Sequence, residues 1–213
     1  MKAVLIYSGG MDSTCLLYKY QKEIALAVTF TYGAKQDEAQ TECAKFNCNK
    51  LGIKHLIIPI DFIGQYFQSS ILKGGADIPH QDYDAENMKS TVVPFRNGIM
   101  LAIAAGLAES YELDAVMLAN HGGDHAIYPD CRPEFIDAMA AAVQAGTYNG
   151  VKVVSPYCNV TKRDIALRGK ALGVDYSLTY SCYKGGEKHC GRCGTCVERR
   201  EALEGFDPTE YEG

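Results

Sequence analysis

A glycine-rich turn near the amino terminus carries the residues best suited to chemistry. The string Ser8-Gly9-Gly10-Met11-Asp12-Ser13 directly follows the apolar run Ala3–Tyr7. An apolar run that ends in two glycines predicts a strand, a tight turn and the start of a helix. Glycines permit positive φ and close backbone approach, so the N–H groups of this turn can surround an anion at the helix N-terminus. The turn therefore predicts a phosphate-binding loop.

The side chains of this loop differ from those of the commonest phosphate-binding loop. A Walker loop requires Gly-Lys-Ser or Gly-Lys-Thr, whereas here Met11 and Asp12 follow the glycines. Asp12, Ser13 and Thr14 fall in the first helical turn, where they can cap the helix or reach phosphate or a metal ion. An ordinary glycine-rich turn is the alternative, and the complete string after a strand argues against it.

A cluster of cysteines near the carboxyl terminus has the spacing C-x7-C-x2-C-x2-C. Its members are Cys182, Cys190, Cys193 and Cys196. Two-residue gaps let neighbouring thiolates converge on one ion, and four soft ligands suit tetrahedral Zn²⁺ without an open position. The cluster therefore predicts a structural zinc site.

Two alternatives to this ligand set remain. An iron–sulfur cluster uses similar spacing, but ferredoxin runs continue with Cys and Pro, and here Val197-Glu198 follow. His189 could replace one sulfur, but its neighbour Cys190 already fills that place. We therefore expect His189 to lie in solvent.

The bulk composition excludes several classes of function. The 213 residues suit one domain with a small appendage, and 21 basic against 26 acidic residues give a net charge of −5. Neither the charge nor the apolar runs predict binding to nucleic acid or a membrane. An odd number of cysteines, nine, without a signal peptide predicts metal binding or chemistry rather than disulfides. We expect a cytoplasmic protein.

Apolar runs alternate with helical patterns along most of the chain. The expected strands are Lys2–Tyr7, Ile24–Tyr32, His55–Asp61, Ala115–Asn120 and Val151–Ser155. The expected helices are 12–22, 36–51, 97–112, 134–145 and 161–172, with Thr161 and Asn159 as candidate N-caps of the last. This alternation predicts an α/β fold with a five-stranded parallel sheet flanked by helices, whose ligands bind beyond the carboxyl ends of the strands.

Two stretches interrupt the alternation. The polar segment 74–90 is either a lid over a binding site or a passive surface loop. The cysteine-rich tail predicts a division into a nucleotide-binding domain, 1–180, and a zinc-binding appendage, 181–213.

Further candidates follow the third and fourth strands. Arg96 comes after the strand-like run Val92–Pro94 at a helix start, where its planar fork can pair with phosphate or carboxylate. Asp124 follows the fourth strand, at the same edge as the glycine loop. Asp130 and Cys131 lie in a proline-bounded loop, and Cys131 is either a nucleophile or a buried structural thiol.

These motifs together resemble one enzyme family. Ser8–Ser13 resembles the pyrophosphate-binding loop (PP-loop) of the ATP pyrophosphatase superfamily. The chain also contains Val93-Pro94-x-Arg96-Asn97, Tyr128-Pro129-Asp130-Cys131-Arg132 and the cysteine cluster. With these motifs it resembles the 7-cyano-7-deazaguanine synthase family of queuosine biosynthesis over Lys2 to Leu203. Tyr180, which precedes Ser-Cys, is a minor departure. The fold implied is of the adenine nucleotide α-hydrolase type.

The resemblance implies an ATP-dependent ligase. It would convert 7-carboxy-7-deazaguanine and ammonia into a nitrile through adenylated intermediates, using ATP, Mg²⁺ and one structural Zn²⁺ per chain. The implied nucleotide-binding residues are Tyr7, Ser8, Gly9, Gly10, Met11, Asp12, Ser13, Thr14, Thr29 and Tyr32. The implied catalytic residues are Asp12, which orients the loop or Mg²⁺, Ser13 and Arg96. Arg96, Asp124 and Asp130 are expected to bind the substrate, Asp130 at its 2-aminopyrimidinone edge.

We expect a homodimer that uses free ammonia, because 213 residues leave no room for a glutaminase domain. A tRNA-thiolating member of the superfamily, with an iron–sulfur or persulfide site, is the main alternative. The acidic composition argues against it. A zinc-knuckle binding module on an inactive scaffold is a second alternative, and the intact PP-loop argues against that.

Overall fold

Five parallel strands form one sheet in the order β3-β2-β1-β4-β5 in the computed structural model, which describes residues 1–80 and 85–212. The strands are β1 (Ala3–Ile6), β2 (Ile24–Thr31), β3 (Lys54–Pro59), β4 (Ala115–Met117) and β5 (Lys152–Val154). The neighbours of β1 lie on opposite sides of it, so the chain reverses its winding direction there. Such a reversal opens a crevice at the carboxyl ends of the central strands.

Eight α-helices accompany the strands in the described residues. They are α1 (Met11–Lys19), α2 (Asp37–Leu51), α3 (Phe62–Tyr66), α4 (Ala85–Met88), α5 (Arg96–Ser110), α6 (Pro133–Gly146), α7 (Lys162–Ala171) and α8 (Gly194–Ala202). The predicted strands and long helices are confirmed to within a few residues at their ends. The strand-like run Val92–Pro94 is an exception, because it forms a loop after a short 3-10 helix, Lys89–Thr91. Phe95 then adopts a φ of 54°, outside the extended region.

The core lies on both faces of the sheet. Leu5 points to the side covered by α1 and α7, where it joins Leu16 and Ile165. Its neighbour Val4 points to the opposite side and packs with Leu101 of α5. Successive strand residues face opposite sides, and both sides of β1 are apolar because helices cover both. Burial on two faces holds the carboxyl end of β1 rigidly.

One apolar stretch in the described residues meets the length and composition of a membrane span. It is Lys89–Ser110, 22 residues with a mean hydropathy of 1.4. The α5 part of this stretch packs against β1 and β4, with Met100, Leu101 and Ala104 in the core. A helix that covers a buried sheet has this composition without entering a bilayer.

The polar segment 74–90 is described only in part. Residues 74–80 are irregular until His80, which forms an antiparallel bridge with Cys193. The stretch 81–84 lies outside the described residues, and α4 follows it. Whether this segment is a lid stays a prediction.

Candidate functional site

A cavity opens at the carboxyl edge of the sheet, between the glycine loop, the start of α5 and the cysteine-rich tail. Most of the sequence-predicted residues line it. These are Tyr7, Ser8, Gly10, Met11, Asp12, Ser13, Tyr32, Arg96 and Asp124. Phe30, Met100 and Leu118 add apolar surface to the same wall. The cavity therefore combines a phosphate-type loop, an arginine and an apolar face.

Gly9 fixes the position of the PP-loop without lining the cavity. Its φ is 83°, and a Cβ atom there would lie 2.1 Å from the carbonyl oxygen of Gln40. Its own carbonyl accepts the backbone N–H of Tyr180 at 3.1 Å. The turn thus requires glycine both for its backbone conformation and for its close packing against α2.

Hydroxyl groups order the loop from within. Ser8 Oγ lies 3.0 Å from Ser13 Oγ and accepts the N–H of Gly10 at 3.1 Å. Thr14 Oγ1 donates to the carbonyl of Gly10 at 2.8 Å, so the Tyr7 hydroxyl, 3.1 Å away, must donate to Thr14. Thr14 is buried beneath the loop. Ser8 and Ser13 line the cavity, and Ser13 Oγ also lies 3.2 Å from the carbonyl oxygen of Gly10.

A lysine from α7 supplies the positive charge that the loop lacks. Lys162 Nζ lies 2.7 Å from Glu198 Oε2 and 3.3 Å from Asp12 Oδ2, and it lines the cavity. Burial alone would lower the pKa of Lys162, but the carboxylates of Asp12 and Glu198 outweigh burial and raise it. Burial raises the pKa of Glu198, against the opposing effect of Lys162. The ammonium therefore stays charged beside the phosphate-binding turn.

His121 completes this charged cluster. Its Nδ1 accepts the N–H of Gly123 at 3.1 Å, and its Nε2 lies 3.4 Å from Lys162 Nζ. Nε2 lies 3.9 Å from Asp12 Oδ2, 3.6 Å from Asp124 Oδ1 and 3.8 Å from the Glu198 carboxylate. The cluster thus places three carboxylates around one ammonium and one imidazole.

The other end of the cavity is built around Arg96. Its Nη1 donates to the Tyr32 hydroxyl at 2.9 Å. The backbone N–H of Tyr32 is held in turn by Asp37 Oδ2 at 2.9 Å. Burial would lower the pKa of Arg96, but electrostatic interaction with Tyr32, Tyr183 and Asp130 raises it. A fixed, charged guanidinium at this point suits a phosphate or a carboxylate.

Two of the predicted binding residues lie behind the cavity wall. Asp130 Oδ2 accepts the backbone N–H of Asn97 at 2.8 Å, in the first turn of α5. Thr29 Oγ1 donates to the carbonyl of Tyr7 at 2.6 Å and accepts from His55 Nε2 at 2.7 Å. Both side chains hold elements that carry the site. Direct contact of either with a ligand stays a prediction.

Cys131 lines the cavity but is not an activated thiol. Its Sγ accepts a hydrogen bond from Asn97 Nδ2 at 3.2 Å, and burial raises its pKa well above the usual value. The nucleophilic form of cysteine is the thiolate, which burial disfavours. Of the two interpretations, the geometry favours the structural thiol.

The four cysteines of the tail come together as the sequence predicts. Cys182, Cys190, Cys193 and Cys196 are buried, and their sulfurs all lie within 4.8 Å of one another. The N–H of Cys190 points at Cys182 Sγ at 3.3 Å, and that of Cys193 at Cys190 Sγ at 3.3 Å. Such N–H groups stabilise thiolate charge. The donor set therefore fits one tetrahedral metal ion such as Zn²⁺.

Arg199 is buried next to this cluster. Its guanidinium donates to neutral acceptors: Thr179 Oγ1 at 2.9 Å, Ser181 Oγ at 3.0 Å and the carbonyl of Tyr176 at 2.6 Å. Four thiolates around one divalent ion carry a net charge of about −2, and Arg199 follows the ligand Cys196 by one helical turn. With a divalent ion bound by the four thiolates, the arginine would supply a compensating charge.

The expectation that His189 lies in solvent is wrong. The side chain is buried, its Nε2 accepts the N–H of Ser181 at 3.1 Å, and its ring centroid lies 4.5 Å from that of Tyr180. The segment between Cys182 and Cys190 folds back on itself, so a residue beside a ligand becomes part of the interior. Spacing alone did not reveal this fold-back.

Sequence reasoning missed Lys162, His121 and Glu198. One signal was available for Lys162, because it directly follows the helix cap Thr161, whose Oγ1 accepts the N–H of Asp164 at 3.1 Å. A polar residue at a helix start after a parallel strand lies at the ligand-binding edge. Glu198 comes from α8, and no sequence pattern joins that helix to the PP-loop.

Comparisons with known proteins agree with the geometry. A family model described as queuosine biosynthesis protein QueC matches residues 2–207. A 7-cyano-7-deazaguanine synthase of Porphyromonas gingivalis is 59% identical over 214 residues, covering 99% of this chain and 97% of that protein. One from Desulfotalea psychrophila is 52% identical, covering 98% of each. The solved structure of NMN synthetase from Francisella tularensis aligns with a TM-score of 0.51 at 14% identity, covering 89% of this chain and 70% of that one, which shows likeness of fold alone.

Proposed function

This chain belongs to the queuosine biosynthesis QueC family, and from that premise we propose that it is an ATP-dependent 7-cyano-7-deazaguanine synthase. The observation that carries the proposal is a single cavity with the PP-loop and Lys162 at one end and Arg96 at the other. ATP needs a phosphate cradle beside an apolar surface, and a substrate carboxylate needs a cation. Groups that meet both requirements line the same cavity.

The reaction follows from the poor reactivity of a carboxylate. A carboxylate oxygen attacks the α-phosphorus of ATP, and pyrophosphate leaves toward the PP-loop and Lys162. Ammonia then attacks the acyl carbon, AMP leaves with one carboxyl oxygen, and an amide remains. The amide oxygen attacks the α-phosphorus of a second ATP and a second pyrophosphate leaves, and elimination of AMP with two N–H protons gives the nitrile. Both carboxyl oxygens therefore end in AMP.

Each protein group has a defined part in this scheme. Backbone N–H groups of the PP-loop, with the hydroxyls of Ser8 and Ser13, hold the departing pyrophosphate. Lys162 stabilises the negative charge that develops on the phosphates, and Arg96 orients the carboxylate for attack. We propose that Asp124 and Asp130 bind the deazaguanine ring through hydrogen bonds.

Mg²⁺ is part of the proposal. Asp12 Oδ1 is buried and has no hydrogen-bond partner among the described residues, so it has a lone pair free for a cation. Mg²⁺ bound there would neutralise phosphate charge. The same proposal includes one structural Zn²⁺ at the four cysteines, a C-terminal appendage from residue 181, a cytoplasmic location and a homodimer.

The nucleotide products test this function. The protein is incubated with 7-carboxy-7-deazaguanine labelled with ¹⁸O in its carboxylate, ATP and an ammonium salt, and the products are followed by mass spectrometry. We expect the nitrile, pyrophosphate and AMP carrying ¹⁸O. Formation of ADP and phosphate without AMP would contradict adenylation. Thiolated tRNA in a parallel assay with a sulfur donor would favour the thiolating alternative.

A further inference from the structure

Three hydroxyl groups near the cavity form a chain of hydrogen bonds in which the donor and acceptor of each bond are fixed. Thr91 Oγ1 lies 2.6 Å from the carbonyl oxygen of Met88. A carbonyl only accepts, so the hydrogen of Thr91 is committed to Met88. The Tyr128 hydroxyl lies 3.0 Å from the same Thr91 oxygen, and it must therefore be the donor of that bond.

The same logic fixes the next link. The hydroxyl of Tyr128 has one hydrogen, and that hydrogen is committed to Thr91. Tyr183 Oη lies 3.1 Å from Tyr128 Oη, so Tyr183 must donate to Tyr128. Both tyrosines line the cavity. The hydrogen of Tyr183 is thus directed into the protein, and its remaining lone pair is what the phenol can offer to a ligand.

The hydroxyl of Tyr32, which lines the same cavity, can act as a hydrogen-bond donor to a ligand. Its oxygen accepts from Arg96 Nη1 at 2.9 Å, so its own hydrogen remains to be donated. Arg96 is itself a donor only. The Arg96 end of the cavity therefore offers donors for anionic oxygen atoms, with Tyr183 as a neighbouring acceptor.

We propose that the phenol oxygen of Tyr183 accepts a hydrogen bond from an N–H donor of the substrates, and that Tyr128 positions it for this role. This inference rests on the proposed function, which supplies two such donors. One is the N–H edge of the 7-deazaguanine ring, and the other is ammonia. Ammonia must approach the acyl carbon beside the cation that binds the carboxylate, and the ring N–H groups need an acceptor elsewhere in the same cavity. A phenol whose hydrogen is already committed offers either donor an acceptor.

Kinetic constants for the separate substrates test the proposal. Tyr183→Phe removes the oxygen with almost no change in shape. We expect the KM for one N–H-bearing substrate to rise by about tenfold, the loss expected for a buried donor left unpaired, while the KM for ATP stays unchanged. A rise for the carboxylic acid assigns the contact to the ring, and a rise for ammonium assigns it to ammonia. Tyr148→Phe, at a fully exposed tyrosine, is the matched control.

Tyr128→Phe tests whether Tyr128 positions the hydroxyl of Tyr183. This change leaves the Tyr183 oxygen in place but removes the acceptor of its hydrogen, so the same KM should rise. The double variant should be no worse than Tyr183→Phe alone, because both changes act through one oxygen. Calorimetric titration of wild-type protein and Tyr183→Phe with the acid, without ATP, checks a ring contact independently of turnover.

The outcomes separate this inference from the proposed function. Wild-type protein that forms no nitrile would overturn the function and the inference together. An active wild type, with Tyr183→Phe unchanged in the KM of both the acid and ammonium, would overturn the role of Tyr183 alone. Additive effects of the two tyrosine changes would overturn the positioning role of Tyr128.

Discussion

The backbone N–H of Tyr180 donates to the carbonyl oxygen of Gly9 over 3.1 Å, and this bond joins the cysteine-rich tail to the PP-loop. The carbonyl of Tyr180 accepts Gln40 Nε2 at 3.2 Å, which ties the same residue to α2. Tyr180 precedes the first cysteine of the cluster, Cys182, by two positions, and Tyr183 directly follows Cys182 and lines the cavity. The cysteine cluster is therefore connected to two sides of the cavity.

The PP-loop should be required for turnover but not for folding. We expect Ser13→Ala and Asp12→Ala to lower kcat/KM by about two orders of magnitude, since each removes a group that faces phosphate or its cation. Steady-state kinetics measure the loss, and circular dichroism checks that the fold is retained. Thr14→Ser, which keeps the hydroxyl beneath the loop, is the control. Full activity in both loop variants would remove this loop from the mechanism.

Lys162 should supply the cation that a Walker loop supplies by its lysine. Lys162→Met removes the ammonium partner of the partly buried Asp12 and Glu198 carboxylates and leaves them beside the imidazole of His121, so activity and stability should both fall. Lys162→Met/Glu198→Gln removes one of those charges and should recover stability without recovering turnover. Thermal unfolding and kinetics on the same samples separate the two effects. A double variant that regained turnover would show that the ammonium only balances charge.

The sequence could predict the sheet, the PP-loop and Arg96, but not the contacts between distant elements that complete the site. Alternating apolar runs indicated the parallel sheet, and the Ser-Gly-Gly-x-Asp-Ser string indicated the loop at its edge. Both signals are local in the chain. The contact of Lys162 with Glu198, 2.7 Å apart, joins residues 36 positions apart through the packing of α7 against α8. The buried position of His189 likewise depends on how the tail folds back. Such contacts arise from tertiary packing, which periodicity does not encode.

Cys131 should be dispensable as a nucleophile. We expect Cys131→Ala to keep kcat within a few-fold of wild type and to lower stability by about 1 kcal/mol or more, because a buried sulfur and its contact with Asn97 are lost. Kinetics and urea unfolding give the two quantities. Cys131→Ser, which keeps a hydrogen-bonding atom, serves as the matched variant. Complete loss of turnover in a folded Cys131→Ala protein, with a covalent adduct on the wild-type thiol, would establish nucleophilic catalysis instead.

The metal should stabilise the fold rather than take part in the chemistry. Cys182, Cys190, Cys193 and Cys196 together should bind one colourless Zn²⁺ per chain, with every coordination position filled by sulfur. Cys193→Ser should therefore lower Tm by roughly 10 °C or more, since metal binding contributes folding free energy, and activity should fall as a consequence. Cys43→Ser, at a half-buried cysteine outside the cluster, is the control. Elemental analysis that found iron, with a brown protein, would overturn the zinc assignment. A Cys193→Ser protein that stayed folded and metal-bound but lost turnover would make the metal catalytic.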